Sequence, residues 1–295
     1  MNNLFLSLNK YYKKPNTLSK GTLYIGKVKI NGLPTDPERL IRIYLPSNYK
    51  EYDDKVRFPV IYMMDGKNLF DKYTSYAGEW EVDEIIEKRI ENNEQAFIVV
   101  GIDSATTGNG REEEMLPDNN NLIEIDGLPL DMPAYGDILG NWIISKLKPE
   151  IDKLFHTLPS KDHTAIGGSS MGGLFSFYMG LKYKEIFGFS LCYSPAFCLY
   201  QEDYFKEEFE EYEIDSKLGK IYFLVGDIEY ENQFVSLTKH TYEALIKKGM
   251  NQDKIKYIHD KEGIHHESFW TKYFNDSLNF WFVKKSWQCK EQVKK

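Results

Sequence analysis

Cysteine is scarce in this chain of 295 residues: Cys192, Cys198 and Cys289 are the whole set, and no Cys-x-x-Cys occurs. An odd, sparse set excludes a disulfide framework and a cysteine zinc site, and it suggests a reducing compartment. Basic residues are outnumbered, 37 Lys and Arg against 45 Asp and Glu, for a net charge of −8. A nucleic-acid partner, which needs a basic face, is therefore not expected. Long apolar runs are missing as well. None approaches the roughly 18 residues of a membrane span, so no membrane contact is expected. The opening M-N-N-L-F-L-S-L-N-K-Y-Y-K-K has too short an apolar run for a signal peptide and no basic start before it, so the expected location is cytoplasmic. Repeats, low-complexity segments and linkers are absent too, and one domain over residues 1–295 is the simplest account.

Aromatics are plentiful, with 21 Tyr and 18 Phe. They read as core and groove wall. Extended stretches open the chain: residues 21–30 and 39–45 alternate apolar and polar, and turn-rich residues 31–37 join them into a hairpin. Residues 58–64 (F-P-V-I-Y-M-M) and 95–102 (Q-A-F-I-V-V-G-I) are continuous apolar runs, as in strands covered on both faces. Further strands are expected at 163–166, 187–193, 220–225 and 254–258. Helices are expected at 79–92, 135–155 (interrupted by Pro149), 171–184, 234–248 and 267–284. Strand–helix alternation of this kind implies an α/β fold, a mostly parallel twisted sheet with helices on both faces. Residues 103–134 and 195–214 read as long, irregular, lid-like loops.

Ligands of such sheets bind beyond the carboxyl ends of the strands. Gly168, Ser170 and Gly172 make G-x-S-x-G between an apolar run and a helical run. That context fits a nucleophile elbow, a strained tight turn with small residues two before and two after the serine. Met171 would offer its N–H to an oxyanion at a helix start. G-G-S-S-M-G is neither G-x-G-x-x-G nor a phosphate loop.

A serine hydroxyl needs a base, and in elbow-type folds the order is Ser, acid, His. Of six histidines, His240, His259, His265 and His266 follow Ser170. His240 falls inside a helix and His259 ends a strand. His265 and His266 lie in the loop between the last strand and the last helix, the required address. The acid should follow the strand at 220–225, where Asp227, Glu229 and Glu231 all qualify by position. The second oxyanion donor should follow the strand at 58–64, which selects the N–H of Lys67 after Asp65-Gly66. Metal chemistry is not expected: His265-His266-Glu267 is not H-E-x-x-H, and the EF-hand template fails at Leu122 and Ile123. Cys192, inside an apolar strand, reads as core.

With these residues in hand the sequence resembles the esterase D-like branch of the α/β-hydrolases. That group includes S-formylglutathione hydrolases, feruloyl and acetylxylan esterases, trilactone siderophore esterases and mycolyltransferases. The resemblance covers about residues 21–282. It rests on V-I-Y-M-M-D-G-K-N-L-F-D (60–71), G-E-W-E-V-D-E (78–84), R-E-E-E-M-L-P (111–117), K-P-E-I-D (148–152), G-G-S-S-M-G-G-L (167–174), G-D-I-E (226–229) and H-H-E-S-F-W (265–270). The family pattern G-x-x-[D/E] implies Glu229 as the acid. H-x-E-x-x-W, met by His265, Glu267 and Trp270, implies His265 rather than His266. Two departures stand out. The acid is Glu rather than Asp, and M-L-P replaces the Tyr-Thr-Pro that relatives often carry, so that loop gives no substrate.

The combined expectation is an α/β-hydrolase fold and a serine carboxylic ester hydrolase. It would act through an acyl-enzyme on a small-molecule ester, or one linked to carbohydrate or siderophore. Ser170, Glu229 and His265 are the expected triad, and Met171 and Lys67 the oxyanion donors. No cofactor and no metal are expected. An acyltransferase with the same triad, or a non-catalytic binding protein that kept the fold, are the alternatives. A homo-oligomer is compatible with the sequence, which does not encode the oligomeric state legibly.

Overall fold

Residues 98–102 and 60–64 are apolar without alternation, and in the computed structural model every residue of both stretches is buried. They form the middle of a nine-stranded sheet. The structure describes residues 4–51, 53, 55–120, 122–124, 128–200, 214, 216–228 and 233–282. The strands are β1 Ser7–Lys10, β2 Thr22–Lys29, β3 Glu38–Leu45, β4 Val60–Met64, β5 Ile98–Ile102, β6 Thr164–Ser169, β7 Phe189–Tyr193, β8 Lys220–Ile228 and β9 Ile255–Ile264. Their order across the sheet is β1-β2-β3-β5-β4-β6-β7-β8-β9. The pairs from β1 to β5 by way of β2 and β3 are antiparallel. Every later pair, from β5–β4 to β8–β9, is parallel. The expected hairpin is β2–β3, with Leu23 opposite Tyr44 and Val28 opposite Arg39.

The helices are α1 Val82–Glu91, α2 Gly110–Met115, α3 Gly136–Trp142, α4 Lys148–Leu154, α5 Met171–Lys182, α6 Gln233–Lys247 and α7 Glu267–Trp281. A helix that is apolar all round must be covered all round. α5 shows this: all its residues except Tyr178 and Lys182 are buried. It packs on β6 and β7 on one side and on α2 on the other. Among the described residues no helix is long and apolar enough to cross a membrane.

Four features differ from the sequence expectation. β1 was not anticipated; it is short and mostly exposed, and it pairs only with β2. The stretch 103–134 holds a helix, α2, in place of irregular loop throughout. Between α3 and α4 the chain makes a π-helical turn, Ile143–Leu147, and Pro149 sits in the first turn of α4. Proline lacks an N–H but suits a first helical turn, so the wider turn absorbs the break without ending the helical path. Finally, β8 and β9 extend past Val225 and Ile258, to Ile228 and Ile264.

Candidate active site

The G-x-S-x-G turn joins β6 to α5 with little room. A Cβ on Gly168 would stand 2.8 Å from the carbonyl carbon of Gly172, so strand and helix cross only if this position is glycine. Ser170 takes φ 57° and ψ −121°, a backbone conformation that side chains rarely adopt. Such strain costs roughly 1–3 kcal/mol and persists only where surrounding bonds fix it. Here the Ser170 N–H donates to the Tyr193 carbonyl at 2.9 Å, and its own carbonyl accepts from Leu174 and Ala196 at 3.0 Å each. Ser170 remains half-buried. Met171 opens α5, where first-turn N–H groups lack intrahelical acceptors and the helix dipole favours negative charge.

The expected second donor sits after β4. Asp65 is left-handed, at φ 55°, and Gly66–Asn68 form a single 3-10 turn carrying Lys67. A Cβ on Gly66 would lie 2.7 Å from the Gly101 carbonyl carbon, so this turn presses directly on β5. Asp65 is buried and accepts from Arg111 Nε at 2.8 Å, Arg111 Nη2 at 2.7 Å and Ser104 Oγ at 2.7 Å. Burial acts to raise the Asp65 carboxyl. The Arg111 charge and these hydrogen bonds outweigh it and hold the group below the ordinary carboxylate range. The two segments expected to bind an oxyanion are neighbours: a Cβ on Gly172 would stand 3.7 Å from Asp65 Oδ2.

At the end of this turn, Asn68 ties it to the histidine loop. Its carbonyl accepts from the Trp80 N–H at 2.8 Å, and its Nδ2 donates to Glu267 Oε1 at 2.9 Å. Glu267 is buried in the first turn of α7, and burial raises its carboxyl. Trp80 packs 5.4 Å from Trp270 and 5.3 Å from Tyr193, ring centre to ring centre.

His265 follows the end of β9, half-buried, its ring edge-on to Trp270 at 5.3 Å and 5.0 Å from Phe234. Trp270 Nε1 donates to Ser194 Oγ at 3.0 Å. Ser194 is next to Tyr193, whose carbonyl holds Ser170, so a short chain of contacts joins the serine turn to the histidine. His266 has a different job. It caps α7, its Nδ1 accepting from the Ser268 N–H at 3.1 Å, and that leaves Nε2 to donate to the Ala77 carbonyl at 3.1 Å. Both of its nitrogens are thus committed to structure.

The acid is less fully placed. After an irregularity past Gly226 opposite Asp260, β8 and β9 pair again at Ile228 opposite Ile264, the residues immediately before Glu229 and His265. Glu229 and Glu231 themselves lie outside the described residues. Asp227 falls within β8 and bonds to the ring Nε2 of His259, which lies inside β9 rather than at a strand end. His240 is in α6, as expected. Cys192 is fully buried, and burial pushes its thiol up, which makes it core and not a nucleophile.

Ser170, Met171, Lys67 and His265 therefore all follow the carboxyl ends of parallel strands. Sequence reasoning did not find the supports: Arg111 on Asp65, and Glu267 on Asn68. Arg111 and Glu267 stand in recognisable motifs, but nothing in the sequence pairs them with their partners.

A profile of the family described as "Putative esterase" matches residues 34–281. The chain belongs to that family. It is accordingly an esterase, a hydrolase of carboxylic esters, and the resemblance read from its motifs is to the right branch. An uncharacterised protein, YbbA, of Bacillus subtilis (strain 168) is 22% identical over 256 residues, covering 83% of this chain and 93% of that one. Among solved structures, the siderophore hydrolase EstB from Aspergillus nidulans superposes with a TM-score of 0.65 at 16% identity, covering 92% of this chain and 100% of that one. A ferulic acid esterase superposes with a TM-score of 0.64 at 14% identity, covering 90% and 98%. At these identities the structures speak for the shared α/β-hydrolase fold.

Proposed function

We propose that the protein is a serine esterase acting through an acyl-enzyme, with Ser170 as nucleophile and His265 as general base. His265 takes the Ser170 proton as the oxygen attacks the acyl carbon, then gives it to the leaving alcohol. The N–H groups of Met171 and Lys67 bind the oxyanion. Water activated by His265 then frees the acid and restores the serine. Glu229, by the family pattern, orients His265. The observation that carries this reading is the strained Ser170 turn, with φ 57°, at the N-terminus of the buried helix α5. The commitment of both His266 nitrogens elsewhere favours His265.

For substrate we propose a small ester, or one linked to carbohydrate or siderophore, the classes to which the similar ferulic acid esterase and siderophore hydrolase point. The test is hydrolysis of p-nitrophenyl esters, acetate to octanoate and ferulate, with wild type and Ser170→Ala side by side. Ser170→Ala should lose at least about a thousandfold in kcat and keep its fold. A fluorophosphonate should label Ser170 in the wild type only. Turnover near wild type in Ser170→Ala ends the proposal.

A further inference from the structure

One exposed aromatic ring stands beside the candidate site, on a segment held from both sides. Tyr76 is 85% exposed, more than any other large apolar side chain among the described residues. A ring left in water forgoes the gain of burying it. The backbone around it is nonetheless fixed. The Tyr76 N–H donates to Asn68 Oδ1 at 3.0 Å, and the Thr74 hydroxyl donates to the Lys67 carbonyl at 2.7 Å. On the other side the Ala77 carbonyl accepts from His266 Nε2 at 3.1 Å, and a Cβ on Gly78 would stand 2.8 Å from His266 Cε1. Tyr76 therefore bridges the turn after β4 and the loop that carries the histidines.

The ring is held as well. Lys67 Nζ lies 5.3 Å from its centre, within range of a cation–ring attraction. Lys67 is half-buried, and among the described residues it forms no ion pair. The nearby Asp65 carboxylate is already matched by Arg111. An ammonium has three N–H groups, so one that rests over a ring keeps donors for a ligand. A tyrosine with a cation on one face offers the other to a second ring, and it loses little side-chain freedom in doing so. Position decides which half of an ester meets this pair. In the proposed mechanism His265 passes its proton to the leaving oxygen, so the alcohol part lies toward the histidine loop, on which the Tyr76 segment rests.

We propose that the Tyr76 ring and the Lys67 ammonium form a subsite for the alcohol part of the substrate, selecting an aromatic alcohol that carries a negative charge. This rests on the esterase reading and adds a specificity to it. The two roles of Lys67 are separable, because the oxyanion would be bound by its backbone N–H and the subsite uses its side chain.

Hydrolysis of three acetates tests it: n-butyl, phenyl and 4-carboxyphenyl acetate, with wild type, Tyr76→Leu, Tyr76→Phe and Lys67→Met. In Tyr76→Leu the phenyl-over-butyl ratio of kcat/KM should fall at least about fivefold. Tyr76→Phe should hold that ratio near wild type. Lys67→Met keeps the backbone N–H and should lower the 4-carboxyphenyl-over-phenyl ratio at least about threefold. Comparing each ratio with that of wild type cancels leaving-group reactivity and the amount of folded enzyme. A second measurement needs no turnover. 4-Hydroxybenzoate, the alcohol released from 4-carboxyphenyl acetate, is titrated calorimetrically into Ser170→Ala, where adding Tyr76→Leu should raise Kd at least about fivefold. Where wild type turns the esters over, the ratios decide. Unchanged ratios overturn the subsite and leave the esterase reading intact. Where it does not, binding decides. Affinity that depends on Tyr76 then keeps the aromatic-anion site while the esterase reading falls. Affinity indifferent to Tyr76, or no binding up to about 10 mM, overturns both.

Discussion

Removing Arg111 should expose how the turn after β4 is held. Asp65 is buried in a left-handed conformation, and the Arg111 fork supplies two of its three side-chain hydrogen bonds. Breaking a buried pair by deleting one partner costs roughly 3–5 kcal/mol, because a charge stays buried and uncompensated. The Arg111 side chain is 27% exposed, so the lower end, about 3 kcal/mol, applies to Arg111→Ala. Unfolding entropy of about 2.1 cal/mol/K per residue over 295 residues gives about 0.6 kcal/mol/K. The expected loss is then about 5 °C in Tm at pH 7.5. In wild type the folded Asp65 titrates below its unfolded value of about 3.9. Its contribution is therefore complete above that value, and it fades only as pH falls through the depressed folded one. Without Arg111 the burial effect dominates and the folded carboxyl shifts above the unfolded value. The variant then takes up a proton on folding and gains stability as pH falls, so its deficit should shrink between pH 7.5 and pH 5. Asp65→Asn added to Arg111→Met should recover part of the loss, since asparagine tolerates the left-handed backbone and carries no charge. Scanning calorimetry at both pH values is the assay. A deficit below about 1 °C at pH 7.5, or an equal deficit at both pH values, refutes the reasoning.

The adjacent histidines should separate cleanly. His265→Ala should lose at least about a thousandfold in kcat, whereas His266→Ala should lose a helix cap worth about 1 kcal/mol, near 2 °C in Tm, and keep activity within a few fold; p-nitrophenyl acetate kinetics and melting curves on both variants decide it. Glu267→Gln keeps an acceptor for Asn68 Nδ2 and avoids a carboxyl already raised by burial, so its Tm should stay within about 2 °C of wild type. Glu267→Ala leaves Asn68 Nδ2 without its acceptor and should cost about 1–3 kcal/mol of stability together with a fall in kcat.

What could be read from the chain was what local physics dictates. The elbow was legible because strand, tight turn and helix each leave a local mark, and because the close approach of Gly168 to Gly172 tolerates no side chain. The central strands were legible from unbroken apolar runs, as in β4 and β5. β1 was not, since an exposed strand paired on one side needs no apolar pattern. The ends of β8 and β9 were misjudged for a related reason: past Val225 the strands pair at Gly226 opposite Asp260 and, after an irregularity, at Ile228 opposite Ile264, and the polar residues between carry no apolar pattern. The supports of the site were hidden more deeply. Asn68 and Glu267 are 199 residues apart, and Asp65 and Arg111 are 46 apart. Neither pair has any local consequence, so only the assembled sheet brings them into contact. The residues proposed for chemistry at the carboxyl ends of these strands are marked by the turns that present them. Those that hold the turns in place are marked by nothing but their partners, and for that reason the Arg111 and Glu267 variants test the structure where the sequence is silent.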